Sequence, residues 1–227
     1  MSMRLSIVIP VRNEEERLPL LLADLQCLRT CGAEIIVVDG GSCDATLARA
    51  QGLADQLLTS EPGRARQLNA GAAAARGELL VFLHADTRVS QGAAQALAQL
   101  AEEGVHWGFF RVRLGGRSRL LPLIARCMWW RSRLTGIATG DQGLFVTREL
   151  FAAVGGYPAQ ALMEDIEICR RLGAIIAGRA LDIELQSSGR RWDRDGALRT
   201  IALMWWLRLR YFLGASPTVL HHRYYGA

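Results

Sequence analysis

One apolar run constrains the fold of this chain more than any other feature. Residues 79–83 read LLVFL, and the polar segment His84-Ala85-Asp86-Thr87 follows directly. A run of this length, with polar and Gly-containing sequence around it, is typical of a strand buried on both faces. In sheets of alternating strands and helices, ligands bind beyond the carboxyl ends of the strands, where Asp86 stands. A carboxylate there suits a divalent cation that bridges phosphates. The structural alternative is that Asp86 caps the helix near Ser90 or fills a turn.

Strands and helices alternate through the first hundred residues. The sequence predicts strands over 5–11, 34–38, 56–59 and 79–83. It predicts helices with Glu14, Glu15 and Glu16 in the first turn, from Asp44, over 64–76 and over 90–103. Four such units favour a parallel sheet with right-handed crossovers.

The pattern changes after residue 104. Strand-like segments cover 107–114, 144–147 and 175–185, and helical segments cover 120–134, 148–154, 164–172 and 197–213. The tail that contains His221 and His222 is predicted to be a surface loop, with metal binding by these histidines the less favoured interpretation. Because no linker rich in Pro, Gly or Ser divides the chain, we predict one α/β domain over 1–227, with functional halves 1–104 and 105–227.

Polar residues follow three of the predicted strands: Asn13 and Glu14, then Asp39, then His84 and Asp86. The carboxyl ends of parallel strands share one rim of a sheet. An Asp at that rim can accept a hydrogen bond from a base, and the helix start after Gly40 offers backbone N–H groups. Arg64 and Arg66 could approach a base or a diphosphate. Each residue alone is better explained by a turn or a cap, but together they predict a nucleotide site.

Three ordered motifs carry a resemblance to a known family. They are Val8-Ile9-Pro10-Val11-Arg12-Asn13-Glu14-Glu15, Val37-Val38-Asp39-Gly40-Gly41-Ser42-Cys43-Asp44-Ala45-Thr46 and Phe82-Leu83-His84-Ala85-Asp86-Thr87. The chain resembles the family 2 glycosyltransferases of GT-A fold, which have a Rossmann-like, mostly parallel sheet flanked by helices. The resemblance implies a nucleotide-diphosphate sugar as donor and Mg²⁺ or Mn²⁺ as cofactor. It places Asp39 at the base, Asp86 at the metal and Glu14 near the nucleotide, with Pro10 and Gly40 inside the binding motifs.

The metal motif departs from the family pattern. The family usually has Asp-any-Asp, whereas this chain has His84-Ala85-Asp86. His84 could contact the ribose or bind a softer cation such as Mn²⁺. It could equally be a neutral hydrogen-bonding residue. Both interpretations stay open at this point.

The acceptor and the catalytic base are expected in the second half. Glu164-Asp165 opens a predicted helix and resembles the Glu-Asp motif of the family. Inverting transfer needs a carboxylate that takes the proton of the acceptor hydroxyl, while the metal stabilises the leaving diphosphate. We assign Asp165 as the base and Glu164 as the second candidate; helix capping is the structural alternative.

Two further segments are candidates for substrate contact. Gly140-Asp141-Gln142-Gly143 precedes a strand, and Asp141 could line the sugar or acceptor pocket. Arg191 and Trp192 resemble the basic–Trp motif that follows the base in the family. The Gln that usually precedes that motif is not at the usual spacing here.

These residues predict an inverting, metal-dependent glycosyltransferase that moves a hexosyl group to an acceptor hydroxyl. Within the family, the chain resembles the short branch associated with arsenosugar biosynthesis. A nucleotidyltransferase is one alternative, but it would carry a Gly-rich basic loop after the first strand. A non-catalytic nucleotide-sugar-binding protein is another, which His84 leaves open and the Glu164-Asp165 pair disfavours.

Charge and cysteine usage bear on partners and location. The chain has 27 Lys and Arg against 22 Asp and Glu, so its net charge of +5 favours acidic partners. Given the motifs, we expect a nucleotide sugar and a membrane surface but no nucleic acid. Five cysteines without a Cys-x-x-Cys pair favour a reducing compartment, and we expect the cytoplasm. The first apolar run is predicted to be a core strand, not a signal peptide, and no stretch is long and apolar enough for an ordinary transmembrane helix.

The predicted helix over 120–134 has an interfacial pattern. Arg119, Arg126 and Arg133 recur every seven residues and share one face, beside Leu and Trp residues. Such a helix suits the inner face of a membrane. The helix over 197–213 is rich in Trp but less clearly amphipathic. Packing of either helix on the core or in a homodimer is the alternative.

Overall fold

The computed structural model describes residues 5–100 and 103–226, which contain one eight-stranded sheet. The strand order is β3-β2-β1-β4-β7-β6-β8-β5. The bounds are β1 Leu5–Val11, β2 Glu34–Asp39, β3 Gln56–Thr59, β4 Leu79–Phe82, β5 Arg88–Val89, β6 Trp107–Gly115, β7 Leu144–Thr147 and β8 Arg179–Ser188. The first four strands are parallel, as predicted. Beyond them the sheet is mixed: β7 is antiparallel to both of its neighbours, β6 is parallel to β8, and β5 is antiparallel to β8.

Helices cover both faces of this sheet. They are α1 Leu18–Thr30, α2 Thr46–Ala50, α3 Arg64–Ala74, α4 Gln91–Leu100, α5 Leu121–Thr135, α6 Arg148–Ala153, α7 Glu164–Ile175, α8 Arg190–Asp195, α9 Ala197–Phe212 and α10 Pro217–Tyr225. A short 3-10 helix, Gly140–Gln142, precedes β7.

The central strands are apolar because both of their faces are buried. Ile7 and Ile9 of β1 pack in a cluster with α1 and α4, whereas Val8 packs on the opposite face with α3. Gly71 lets α3 lie close to the sheet, since a Cβ there would overlap the Val8 side chain. This packing fixes where the strands end, and therefore where the polar residues of the motifs lie.

The first helix begins later than the sequence predicted. Glu14, Glu15 and Glu16 precede α1, and Pro19 is its second residue. The acidic residues are held by the next loop, because the Glu14 amide donates to the hydroxyl of Thr46 (2.8 Å) and the Glu15 carboxylate accepts from the Ala45 amide (3.0 Å). The prediction that these acids form the first turn of α1 was wrong.

Other boundaries also differ. The predicted start of the last strand at residue 175 was wrong, because α7 continues through Ile175 and β8 begins at Arg179. The tail predicted as a loop is helix α10, which packs on α9 through Leu220. The two-residue strand β5 and helix α8 were not predicted. The predicted end of α4 at residue 103 cannot be compared, because 101 and 102 lie outside the described residues.

A helix that crosses a membrane must be long and apolar. In the two described segments, no helix has the length and hydropathy to span a bilayer.

Candidate active site

The loops after β1 and β2 are joined by hydrogen bonds. Asn13 adopts the left-handed conformation (φ 54°), which Asn tolerates better than most residues. Its amide donates to Ser42 Oγ (2.9 Å), and its Oδ1 accepts from the Cys43 amide (2.9 Å). These bonds set the spacing of two strand ends that carry candidate nucleotide-binding residues.

Asp39 is buried at the end of β2, with 3% of its surface exposed. Its carboxylate accepts from the amides of Gly41 (3.1 Å) and Ser42 (3.0 Å) and from the Ser42 hydroxyl. Asp39 therefore orders its own loop, and its contact with a base remains a prediction. Pro10, one position before the end of β1, is half-buried and pairs with Val38.

Gln67 is a structural residue that the sequence did not reveal. It is buried on α3, and its Nε2 donates to the carbonyls of Val11 and Val38, each at 2.8 Å. The side chain thus ties the ends of β1 and β2 together. It also approaches Gly40 so closely that a Cβ there would lie 2.8 Å from the Gln67 amide carbon. Nothing in an Ala-rich helix distinguishes such a glutamine from an exposed one.

A charged cluster joins the first half of the chain to the second. The Arg64 guanidinium contacts His84 Nε2, and its Nε lies 3.4 Å from Glu164 Oε1. On its other side, His84 Nδ1 lies 3.3 Å from Asp141 Oδ1. A Cβ on Gly140 would overlap Arg64 and His84, so glycine allows this close approach. Arg66, also predicted to contact substrate, is exposed and contacts no member of this cluster.

Asp165 lies on the same cleft. Its Oδ2 accepts from the Gly140 amide (3.2 Å), and its Oδ1 accepts from the Ile166 amide (2.8 Å). Glu164, by contrast, is 5% exposed and faces Arg64. The two carboxylates point differently, as expected for adjacent residues at a helix start. The structure brings Glu164 and Asp165 together with Arg64, His84 and Asp141 around one pocket and its rim.

The pKa directions in this cluster follow burial and charge. Burial raises the pKa of Glu164, and Asp165 adds to this effect, while Arg64 opposes it. The pKa of Asp141 is lowered although burial opposes this, because it bonds to His84 and lies near Arg64. For Arg64, burial disfavours the charged form, but Glu164, Asp165 and Asp141 outweigh it and raise the pKa. Arg64 is therefore the cation that balances this group of acids.

Asp86 lines a neighbouring open pocket beside Gly115 and Ser187. Burial raises its pKa, as do Asp141 and Glu14, whereas His84 and Arg190 lower it. The site therefore has negative charge that a cation would offset. Within 5–100 and 103–226, no three His, Cys, Asp or Glu residues are arranged to hold a metal alone. Asp86 fits a cation that takes its other ligands from phosphates and water, as Mg²⁺ does in phosphate-transfer sites.

The basic–Trp segment is arranged differently from the prediction. Trp192 packs in an apolar cluster with α5 and α9, and Arg191 stacks on Tyr224 of α10, 3.6 Å from the ring centre. Neither residue joins the cleft cluster. Arg190, the first residue of the Arg190-Arg191-Trp192 segment, pairs instead with Glu14: its Nη2 lies 2.6 Å from Glu14 Oε1. Only the fold could reveal this contact, because 176 positions separate the two residues.

Comparison with known proteins identifies the family. Residues 6–147 match the model of Glycosyl transferase family 2, which is more than half of the chain. The chain therefore belongs to glycosyl transferase family 2, the family that the sequence motifs predicted. This match does not support the nucleotidyltransferase alternative.

Sequence relatives agree with this family. A glycosyltransferase of Mycobacterium tuberculosis is 37% identical over 134 residues, which is 55% of this chain and 50% of that protein. A dolichyl-phosphate beta-glucosyltransferase of Drosophila melanogaster is 32% identical, covering 52% of this chain and 42% of the relative. An undecaprenyl-phosphate 4-deoxy-4-formamido-L-arabinose transferase of Yersinia pestis is 35% identical, covering 62% and 46%. The chain spans about half the length of the curated relatives it matches.

Solved structures establish the fold. A mannosyltransferase of Pyrobaculum calidifontis, solved with GDP-Man and Mn²⁺, has 24% identity and a TM-score of 0.57 over 82% of this chain and 57% of its own. TarS of S. aureus has 17% identity and a TM-score of 0.64 over 82% of this chain and 61% of its own. These likenesses confirm the predicted GT-A fold.

Proposed function

We propose that this chain is an inverting, divalent-metal-dependent glycosyltransferase that uses a nucleotide-diphosphate sugar and a hydroxyl acceptor. The observation that carries the proposal is that Asp86 and Asp165 are both near the Gly140–Gln142 helix. Asp165 accepts from the Gly140 amide, and the pKa of Asp86 responds to the next residue, Asp141. These contacts link the pocket that Asp165 lines to the neighbouring pocket that Asp86 lines, and so support a metal site and a base on one donor–acceptor cleft.

Each residue has a proposed role. Asp165 takes the proton of the acceptor hydroxyl as its oxygen attacks the anomeric carbon. Arg64 and Arg190 supply positive charge toward the diphosphate, while Asn13, Glu14, Asp39 and Gly40 form the nucleotide side.

Asp86 would hold Mg²⁺ or Mn²⁺, with His84 next to it, and the cation would stabilise the leaving diphosphate. Asp141 fixes the orientation of the His84 ring through Nδ1.

The relatives support this donor chemistry. The mannosyltransferase was solved with GDP-Man and Mn²⁺, and a glucosyl-3-phosphoglycerate synthase of Mycobacterium tuberculosis was solved with Mn²⁺ and UDP. We propose one domain with a donor half, 1–104, and an acceptor half, 105–227. The sugar, the base and placement in the arsenosugar-associated branch remain predictions.

Binding of a nucleotide diphosphate tests the donor site. Calorimetry with UDP and GDP, each with and without Mn²⁺, should show metal-dependent binding of at least one nucleotide. Asp86→Ala should abolish that dependence while the far-ultraviolet circular dichroism is unchanged. The exposed carboxylate Glu78 on the amino-terminal side of β4 provides a matched control, and Glu78→Ala should bind like wild type. Unchanged metal-dependent affinity in Asp86→Ala would remove Asp86 from this role.

We also propose that α5 and α9 contact an anionic membrane surface. Arg126 and Arg133 are exposed on α5, beside Leu123 (59% exposed) and Trp130 (49% exposed). Helix α9 adds Trp205, Leu209 and Phe212, which are 69%, 59% and 56% exposed. Spacings of four and three residues place these side chains on one face of α9. Basic and aromatic residues around apolar side chains are typical of interfacial helices.

Vesicle sedimentation tests this surface against a homodimer interface. Wild type should sediment with vesicles rich in phosphatidylglycerol at low salt and less at high salt, because surface charge attraction is screened. Replacing Arg119, Arg126 and Arg133 by Gln should reduce sedimentation. Replacing Arg49, Arg170 and Arg179 by Gln removes the same charge from exposed positions outside these helices. This control should reduce sedimentation less. No sedimentation together with a dimer in ultracentrifugation would assign these helices to a homodimer.

A further inference from the structure

Arg131 is an arginine of α5 that lies against the 3-10 helix without a carboxylate partner. Its Nη2 donates to Ser132 Oγ (3.0 Å) and Gln142 Oε1 (3.4 Å), both neutral acceptors. Its Nε is buried and has no hydrogen-bond partner. No acidic side chain among the described residues lies within 4 Å of its guanidinium nitrogens. This buried cation therefore keeps donor capacity that the fold leaves unused.

Arg208 of α9 is a second cation in the same region. It is partly buried, and it forms no hydrogen bond or ion pair with the residues that the structure describes. Arg131 and Arg208 are close enough to affect each other: the pKa of Arg131 is lowered to about 10, first by burial and then by Arg208. Burial also lowers the pKa of Arg208, against the effects of Asp165 and Cys169. Gln142, which Arg131 contacts, belongs to the 3-10 helix whose Gly140 amide donates to Asp165, so Arg131 lies in the region of the proposed base. The electrostatic effect of Asp165 on Arg208 places Arg208 in the same region.

The neighbouring groups do not neutralise this pair. Burial raises the pKa of the Cys169 thiol to about 12, so the thiol stays uncharged near neutral pH. Asp165 already accepts from the Gly140 and Ile166 amides. Two partly buried like charges without ion-pair partners are costly, and a fold with no use for them would be more stable without them. Their retention beside a cleft is the physical reason to expect a ligand of opposite charge.

We infer that Arg131 and Arg208 bind an anionic group of the acceptor, a phosphate or similar oxyanion, and so hold the acceptor's reacting oxygen near Asp165. Guanidinium groups match phosphate geometry and give strong charge-assisted hydrogen bonds. The acceptor role rests on the proposed function, whereas binding of an oxyanion does not. The same helix as Arg208 exposes Trp205 and Phe212, so the phosphate could belong to a free metabolite or to a lipid headgroup.

Calorimetry with inorganic phosphate tests the oxyanion site on the full chain, at fixed ionic strength with chloride as the reference anion. Wild type should bind phosphate saturably, and Arg208→Gln and Arg131→Gln should each weaken binding at least tenfold. Arg210→Gln is the matched control, because Arg210 is exposed on the same helix. This control should bind phosphate like wild type, and Arg190→Gln, in the proposed diphosphate region, should weaken phosphate binding less than Arg208→Gln does. No saturable binding, or equal binding in Arg208→Gln and wild type, would overturn the inference.

Thermal unfolding separates binding from a structural role. If the arginines are retained for a ligand, Arg208→Gln should unfold at the same temperature as wild type or higher, because an unpaired charge has been removed. Arg208→Lys should keep part of the phosphate affinity, since it keeps the charge but not the planar fork. A lower unfolding temperature for Arg208→Gln with unchanged phosphate affinity would show that Arg208 serves only packing. Equal loss of phosphate binding in Arg190→Gln would assign the phosphate to the donor diphosphate.

Two further measurements distinguish the sources of the phosphate. Glycerol 3-phosphate should compete with inorganic phosphate if the site takes a free phosphorylated molecule. Vesicles of phosphatidylcholine with phosphatidic acid should bind more weakly to Arg208→Gln than to wild type if the site takes a lipid headgroup. The calorimetry with UDP and Mn²⁺ is run on the same variants. If Arg131→Gln or Arg208→Gln loses phosphate binding but still binds the nucleotide, the inference about the phosphate site is supported independently of the proposed function. If wild type binds no nucleotide, that result counts against the proposed function but not against the phosphate site.

Discussion

Two buried charged groups differ in how the fold treats them. Glu34 begins β2 in the first half, and its carboxylate accepts from Ser6 Oγ (2.7 Å), Gln56 Nε2 (2.8 Å), the Arg76 amide (2.8 Å) and Arg76 Nε (2.7 Å). Arg131 in the second half has two neutral acceptors and a buried Nε without any. Glu34 is saturated by its own fold, whereas Arg131 is not.

The difference separates stability from function. A buried charge with four hydrogen bonds and a cationic partner stabilises the fold and leaves nothing for a ligand. A buried charge with unused donors lowers stability and keeps binding capacity. In the proposed division, Glu34 is part of the frame of the donor half, and Arg131 is one of the groups of the acceptor half that would meet a substrate. Each prediction below tests this distinction between groups that stabilise the fold and groups that bind a ligand.

The largest effect is expected at Asp165. Asp165→Asn keeps the shape of the side chain and removes the proton acceptor, so transfer to an acceptor hydroxyl should fall by roughly 10²–10⁴. Nucleotide-sugar binding should survive, because Asp165 is bonded to the backbone amides of Gly140 and Ile166 and not to residues proposed to hold the nucleotide. Single-turnover transfer with saturating donor measures the chemical step.

Neighbouring carboxylates of α7 provide the controls for that experiment. Glu167, which pairs with Arg170 (2.7 Å) and Arg171 (3.2 Å), should tolerate Glu167→Gln without loss of transfer. Glu164→Gln should slow transfer less than Asp165→Asn. Wild-type rates in Asp165→Asn would place the base elsewhere, with Glu164 and Asp141 as the next candidates.

A smaller effect, on stability, is expected at Glu34. Its pKa is lowered from 4.5 to about 2; burial opposes this, but the hydrogen bonds from Arg76, Ser6 and Gln56 outweigh it. A lowered folded-state pKa gives stability that is present above pH 4.5 and lost as the pH falls toward 2. Glu34→Gln should therefore lower the free energy of unfolding by up to about 3 kcal/mol near neutral pH. Urea titrations at several pH values should show this difference shrinking in acid; a constant difference would argue against the ionic origin.

The smallest effect is expected on the exposed face of α9. Trp205→Ser and Phe212→Ser remove side chains that are 69% and 56% exposed, so the free energy of unfolding should change by only about 0.5 kcal/mol. Vesicle sedimentation should nevertheless decrease. Leu207→Ala, on the buried face of the same helix, is the contrast and should cost about 2–5 kcal/mol. A large loss of stability in the Ser variants would mean that this face packs against protein.

The parallel half of the fold was predictable because its signals are local. Strands β1 and β3 have the predicted bounds, and β2 and β4 differ from them by one residue each, since apolar runs next to Gly and charged residues define them. The motifs also predicted His84, Asp141, Glu164 and Asp165 as site residues, and the structure brings these side chains together around one pocket and its rim. In the second half, the Trp-rich helix was predicted to be less clearly amphipathic because Arg208 and Arg210 are two positions apart and do not share a face.

Contacts made only by the tertiary fold were not predictable. Gln67 looks like any polar residue of a helix until its amide meets two strand ends. Arg191 and Trp192 were chosen as site residues because they match a family pattern, and Arg190 was not chosen. The direction in which each of these side chains points depends on helix α8, which the sequence did not predict. Arg131 and Arg208 are 77 positions apart in the sequence, so their proximity depends on how helices α5 and α9 pack.

The contact between Glu14 and Arg190 has a consequence for how the protein folds during its synthesis. Because 176 positions separate the two residues, Glu14 leaves the ribosome roughly 10–35 s before Arg190, at about 5–20 residues per second. Helices and parallel strands of the first hundred residues have time to fold in that interval. The nascent chain would then have formed the parallel strands of the first half, while Arg190 would not yet have reached Glu14. Nucleotide affinity measured on stalled ribosome complexes of increasing length should therefore rise late, after α8 has emerged, rather than when the nucleotide-binding motifs themselves appear.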